Sequence, residues 1–310
     1  NPGSSTTGVV DPTIVTTYEL PTDADAGADQ SHCGATSTLL EGNTPLVGSG
    51  QWTIVSGTGG SFDDPTDPTT EFYGTNGSTY TLRWTVSNGG CESFDDVEIS
   101  FPLLPEEPLA FILYQDEVCQ GTADVAYSVE NFAGHTYTWS YSGNDYTIVG
   151  SGNQIEITFG NNATSGTLSV YTTNGCGNSN PLELGVTVNP LPQLITFQVD
   201  VTDNICDGNR ADIDIEHDIA SDDFTLDIIR DGVTETLYDQ SDIPGNPFIY
   251  QTNSLPWISG ASTSTVYTYT AILTNTTTGC VSLPVTPIEI TVWKVPETGS
   301  QYHVPNSFGQ

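Results

Sequence analysis

Between Tyr80 and Val86 the large residues Tyr80, Leu82, Trp84 and Val86 alternate without a break with Thr81, Arg83 and Thr85. A period of two places every bulky side chain on one face of a strand and every polar one on the other, a pattern that no helix can satisfy. Val97, Ile99 and Phe101 repeat it against Glu98 and Ser100, after an Asn88-Gly89 turn signal. The stretch from Gly48 to Phe101 therefore reads as strand, glycine-rich turn, Asp/Pro loop, strand, turn, cysteine, strand. The same alternation returns at Tyr137/Trp139/Tyr141, Ile155/Ile157/Phe159, Leu168/Val170 and Leu182/Leu184/Val186/Val188. It returns again at Phe197/Val199/Val201, Ile213/Ile215, Phe224/Leu226/Ile228, Val266–Leu273 and Ile288/Ile290/Val292, with Asp231-Gly232 as a hairpin turn. Helical periodicity is found nowhere, and short strands with turn signals at this spacing predict an all-β chain of sandwiches.

The cysteines give the repeat length. Cys33, Cys119 and Cys206 each stand before a short polar turn and a strand-like run, separated by 119 − 33 = 86 and 206 − 119 = 87 residues. Cys91, Cys176 and Cys280 each follow a strand through a glycine turn. This frame predicts three domains, at 22–103, 104–191 and 192–296, between an orphan strand or linker at 1–21 and a tail at 297–310. Six cysteines allow 15 connectivities; the repeat argument selects one bridge per domain, Cys33–Cys91, Cys119–Cys176 and Cys206–Cys280. The connecting segments Pro102–Pro105 and Pro190–Pro192 are short and proline-rich, which predicts semi-rigid junctions.

Four Lys plus Arg against 39 Asp plus Glu give a net charge of −35. Such a surface repels phosphate backbones and anionic headgroups, which excludes nucleic acid and electrostatic membrane docking as partners. Frequent aromatic and β-branched residues in alternating runs argue against the disorder that so high a charge would otherwise suggest. No apolar run is long enough to span a bilayer. An even cysteine count without a Cys-x-x-Cys pair points to disulfides in an oxidising, extracellular setting, at the cell surface or secreted. The chain starts at Asn1 and contains no Met, which reads as a processed form or an excerpt.

Catalytic constellations are missing: His32, His135, His217 and His303 are scattered, and no nucleophile elbow, phosphate loop or dinucleotide fingerprint occurs. The chain is therefore read as not an enzyme. Two aspartate clusters, Asp23/Asp25/Asp29 and Asp63/Asp64/Asp67, offer hard oxygen ligands at the spacings calcium uses. The same residues form Asx and Asp-Pro turns without any ion. Trp52, Trp84 and Trp139 fall on alternating strand positions, as core residues or, alternatively, as a carbohydrate platform. A strand flanked by prolines nine positions apart occurs three times, at Pro12–Pro21, Pro181–Pro190 and Pro287–Pro296. The first has no domain before it. Its residues Ile14, Thr16, Tyr18 and Leu20 would share one face of an assembly strand, completed by an upstream domain or by strand donation into another copy.

The runs GSGQWTIVSGTGGSFDDPTDPTTEFYG and STYTLRWTVSNGGC resemble an immunoglobulin/PKD-like repeat of large cell-surface proteins of gliding Bacteroidetes, exported by the type IX secretion system. The run from Tyr137 to Gly177 is similar to the PKD-like module of those proteins. The third domain shares only the cysteine frame and the last strand. Val304-Pro305-Asn306-Ser307-Phe308 resembles the opening of the C-terminal sorting domain of that export route. The resemblance implies three Ig-like/PKD-like β-sandwiches in tandem, in a gliding-adhesin-like scaffold. Its role would be cell adhesion as a rod-like spacer and contact surface, with neighbouring domains, other copies or surface glycans as partners. A self-assembling surface filament and a carbohydrate-binding accessory module of a secreted enzyme are the alternative readings.

Overall fold

The computed structural model describes residues 17–199, 204–219, 223–239, 245–258 and 263–295, and no helix occurs among them. By backbone proximity the chain divides into two compact units. One comprises Asn1–Pro108, Asn131–Thr138 and Tyr171–Leu182; the other comprises Leu109–Glu130, Trp139–Val170 and Glu183–Gln310. Three separate hydrophobic cores organise the strands into three sandwiches.

The first sandwich contains β1 (Gln30–Ser31), β2 (Ser37–Leu39), β3 (Ser49–Ser56), β4 (Ser61–Phe62), β5 (Glu71–Tyr73), β6 (Ser78–Asn88) and β7 (Cys91–Phe101). They form sheets β1-β7-β6-β3 and β2-β5-β4. The alternation read from the sequence is the burial pattern of β6: Tyr80, Leu82, Trp84 and Val86 are fully buried, and the residues between them are not. Trp52 of β3 stands opposite Trp84, with ring centroids 5.1 Å apart. Gly50, beside them, has no room for a side chain, because a Cβ there would lie 2.0 Å from the Trp84 ring. On the outer face Arg83 meets its cross-strand neighbour Asp96 through two hydrogen bonds of 2.7 and 2.8 Å. The β6–β7 turn consists of Gly89 and Gly90, both with positive φ, between paired Asn88 and Cys91. That is the left-handed geometry a two-residue hairpin requires.

The second sandwich contains β8 (Phe111–Leu113), β9 (Glu117–Cys119), β10 (Val125–Val129), β11 (Thr136–Tyr141), β12 (Tyr146–Ser151), β13 (Gln154–Phe159), β14 (Gly166–Asn174), β15 (Gly177–Asn178) and β16 (Leu182–Asn189). Its sheets run β12-β13-β10-β8 and β11-β14-β16-β9. Tyr127, Ile155, Ile157, Phe159 and Leu168 fill its core. Burial pushes the Tyr127 hydroxyl up to about 12, and that hydroxyl donates to the Gln115 carbonyl at 2.8 Å.

The third sandwich contains β17 (Leu194–Val199), β18 (Asn204–Cys206), β19 (Asp212–His217), β20 (Phe224–Arg230), β21 (Val233–Asp239), β22 (Phe248–Gln251), β23 (Ser264–Asn275) and β24 (Ile288–Trp293). Its sheets run β17-β19-β22 and β18-β24-β23-β20-β21. Asp231 and Gly232 turn β20 into β21, both at positive φ, as the sequence predicts. The proline-flanked segments at Pro181–Pro190 and Pro287–Pro296 contain the last strands β16 and β24.

One feature is common to all three. In each, the short strand that leads into the first cysteine, here called the leading strand, pairs in parallel with the last strand of its own sandwich: β1 with β7, β9 with β16, β18 with β24. Every other sandwich pairing with a described register is antiparallel.

Because Trp84 is fully buried against Trp52, Trp84→Ala is expected to destabilise the first sandwich by about 3–5 kcal/mol. Urea unfolding followed by near-ultraviolet circular dichroism measures it. A loss below about 1 kcal/mol would mean that the tryptophan pair is not the centre of this core.

Candidate functional site at the cysteine bridges

The parallel leading strand decides where each first cysteine lies. In the first sandwich β1 runs beside Ile99 and Ser100, near the end of β7, and Cys33 follows it. Cys91 is the opening residue of that same strand. Nine residues of extended chain from Cys91 to Ser100 cover about 30 Å, whereas a disulfide needs Cα atoms within about 7 Å. In the third sandwich Cys206 lies beside Trp293, which stands opposite Ser264 at the start of β23. Cys280 pairs with Asn275 at the other end of β23, eleven residues or about 37 Å away. The second sandwich has the same layout: Cys119 lies beside Asn189 at the end of β16, and Cys176 sits in the turn between β14 and β15.

The bridges are therefore not the expected Cys33–Cys91, Cys119–Cys176 and Cys206–Cys280, and the expectation of one bridge per domain is overturned. They are Cys33–Cys176 and Cys119–Cys280, each with Cα atoms 5.6 Å apart. Each joins the leading-strand cysteine of one repeat to the hairpin cysteine of the next. Cys91 and Cys206 carry free, exposed thiols.

Polar side chains hold the chain around the first bridge. Asn174, two residues before Cys176, donates through Nδ2 to the Leu103 carbonyl at 3.0 Å and accepts the Cys176 N–H at 2.8 Å. The Thr172 hydroxyl donates to the Glu106 carbonyl, the Glu106 N–H donates to His135 Nε2 at 3.2 Å, and Asn180 donates to Glu107 at 3.2 Å. Of these residues Leu103, His135, Asn174 and Cys176 line a groove of about 460 Å³. Asn88, before the free Cys91, donates in the same way to the Glu19 carbonyl at 2.8 Å. The sequence marks Asn88 only as half of a turn signal and Asn174 not at all, although each stands at its hairpin tip before a glycine.

The other predicted site residues do not converge. Asp64 and Asp67 each accept the N–H and hydroxyl of a threonine two residues on, Thr66 and Thr69, closing Asx turns. The Thr66 N–H, and then its hydroxyl, hold the Asp64 carboxyl below the usual carboxylate range. Asp25 accepts the Gly27 N–H, Asp29 accepts the Glu98 N–H, and Asp23 and Asp63 take part through backbone groups. Among the described residues no three His, Cys, Asp or Glu side chains group so as to hold a metal. Trp52 and Trp84 are buried and donate to Pro68 O and Asn43 Oδ1; half-buried Trp139 donates to Gly152 O. None of them packs on a bridge within its own sandwich, because no such bridge exists. Ile14 and Thr16, and the segment Val304–Phe308, lie outside the described residues. Tyr18 and Leu20 are exposed and belong to no strand, and the Tyr18 ring lies against Gly89.

A family model described as PKD-like domain matches residues 105–186. No curated protein matches the chain. Among solved structures, the chain is similar to a three-immunoglobulin-domain segment of titin in an E-to-A mutated variant, at 11% identity over 88% of this chain and 97% of that one, with a TM-score of 0.48. It is also similar to an ectodomain fragment of ICAM-5, at 13% identity over 88% and 76% of the two chains, with a TM-score of 0.46. Nothing about activity follows from overlaps at this level.

One buried titratable group stands apart from the bridges. His217 of β19 is buried against Phe224, with ring centroids 4.4 Å apart and Nε2 unpartnered. Burial lowers its pKa, against the opposing pull of Asp218 and of the Ile219 backbone. The folded state thus prefers the neutral ring. The stability this contributes is present above the unfolded pKa of about 6.5 and is lost as pH falls below it. The melting temperature of the third sandwich is expected to fall between pH 7.5 and 5.5. His217→Phe should flatten that slope, and an unchanged slope in the variant would assign the effect elsewhere.

Proposed function

We propose that the chain is a non-catalytic, extracellular structural and adhesive segment of a cell-surface protein, serving as a spacer and contact surface in which successive sandwiches are stapled to one another. The observation that carries this reading is the pair of bridges between successive repeats. Bridges of this kind give a load-bearing array a limit on its extension. Supporting it are the strongly acidic surface, the match of 105–186 to a PKD-like domain and the burial of Trp52 and Trp84, which removes them from a glycan platform. On the motif resemblance, the parent is a type IX-exported adhesin of Bacteroidetes, displayed at the cell surface.

The two bridges interleave, and this gives the test. Between Cys33 and Cys280 lie 280 − 33 = 247 residue steps of chain. With both bridges closed the shortest covalent path runs from Cys33 to Cys176, back to Cys119 and across to Cys280, only 176 − 119 = 57 steps. Reduction therefore releases 247 − 57 = 190 steps, or about 650 Å of extended chain. Pulling single molecules from their ends should show the reduced form longer by that amount at full unfolding. Equal lengths would refute the stapled array.

A further inference from the structure

Cys91 and Cys206 are free, but the positions they occupy are not neutral ones. Cys206 ends a leading strand parallel to the last strand, before the left-handed Gly208. Cys119 has the same surroundings, beside β16 and before the left-handed Gly121, and it is bonded. Cys33, before the left-handed Gly34, is bonded as well. Cys91 occupies a glycine hairpin tip, as do the bonded Cys176 and Cys280. The tip at Cys91 is also furnished like a junction. Asn88 holds the incoming Glu19 carbonyl as Asn174 holds the incoming Leu103 carbonyl beside the Cys33–Cys176 bridge.

The bonding rule in this chain has a direction: the leading-strand cysteine of one repeat bonds the tip cysteine of the repeat that follows. Under that rule the first repeat has an unused tip cysteine and the third an unused leading-strand cysteine. We infer that Cys91 and Cys206 are the two open halves of the same staple, and that each bonds the complementary cysteine of an adjoining repeat of this build. A second copy of the chain supplies both partners at once, through a head-to-tail Cys206–Cys91 bond. Forming it removes two protons and two electrons from two thiols; glutathione disulfide accepts them and leaves as two glutathione molecules. The inference deepens the stapled-array reading and rests on it.

The test mixes full-length Cys91→Ser and Cys206→Ser chains in a glutathione redox buffer and maps unreduced peptides by mass. The expected product is the mixed dimer joined through Cys206 of one chain and Cys91 of the other, at least tenfold over either homodimer. Statistical pairing, or monomers capped by glutathione at both positions, would overturn the inference. Peptide mapping of the wild-type protein isolated under thiol block separates the two sources of partner. A Cys206–Cys91 peptide marks a second copy, and a Cys206 bond to a different glycine-tip cysteine marks a further repeat; both support the rule, and free thiols at both positions overturn it. The same digests report Cys33–Cys176 and Cys119–Cys280. Their loss would strike the stapled-array reading itself, and their presence beside a failed Cys206–Cys91 bond would strike only this inference.

Discussion

Everything distinctive about these sandwiches depends on the parallel pairing of the leading strand with the end of the last strand. In the first sandwich that last strand is also one arm of the hairpin β6–β7, whose two strands are 11 residues each. A cysteine after the leading strand and a cysteine at the hairpin tip are then held apart by the length of a rigid hydrogen-bonded ladder. The backbone amides of that ladder are already satisfied, so closing the gap would mean breaking them one by one. Bonding within the repeat is forbidden by geometry, while bonding to the next repeat is open. The connectivity of the disulfides follows from strand register rather than from cysteine spacing.

Relieved of an internal bridge, each core has to stand on packing. The first does so with aromatics: Trp52 on Trp84, Phe72 edge-on to Tyr80 at 5.0 Å, and Tyr80 near Phe101. Buried polar tips find partners, as when Tyr80 accepts from the Thr75 N–H and donates to the Thr58 carbonyl. The surface follows a different rule. With so few cations, most carboxylates have no basic partner, and several are absorbed by turns in which a threonine hydroxyl and backbone N–H do the work of a counter-ion. The Arg83–Asp96 pair is an exception, and its guanidinium also covers Phe94, 4.0 Å from the ring centroid.

Strand positions were legible wherever one face was buried, because burial imposes a period of two on side-chain size. Tyr80–Val86, Ile155–Phe159, Phe224–Ile228 and Ile288–Val292 all lie in strands. The two-residue β4 and three-residue β5 escaped that reading, since so few residues cannot show a period and the Asp/Pro turns between them dominate the local composition. The candidate site was legible in part. All six cysteines and their two contexts stand out, but their partners do not, because the register of β1 against β7 joins residues 69 apart in sequence and leaves no local trace. The aspartates offered two readings, calcium ligands or turn formers; what spacing alone could not tell is that Asp64 and Asp67 spend carboxylate oxygens on the turns they close.

Interleaved bridges differ in kind from bridges nested in separate domains. A bridge within a domain restrains that domain's unfolded chain alone, so reducing it weakens one module and leaves its neighbours untouched. Here the loops closed by Cys33–Cys176 and Cys119–Cys280 span 143 and 161 residues and overlap. Loops of this size correspond to roughly 5 kcal/mol each on a chain-entropy estimate. That restraint is shared, because the overlap, from Cys119 to Cys176, belongs to both loops and contains β10 to β14 of the second sandwich. Opening either bridge enlarges the unfolded freedom of that sandwich, so the middle repeat is the one most exposed to the redox state of its surroundings. In an array that extends the same rule, every interior repeat would be held twice and only the terminal ones once.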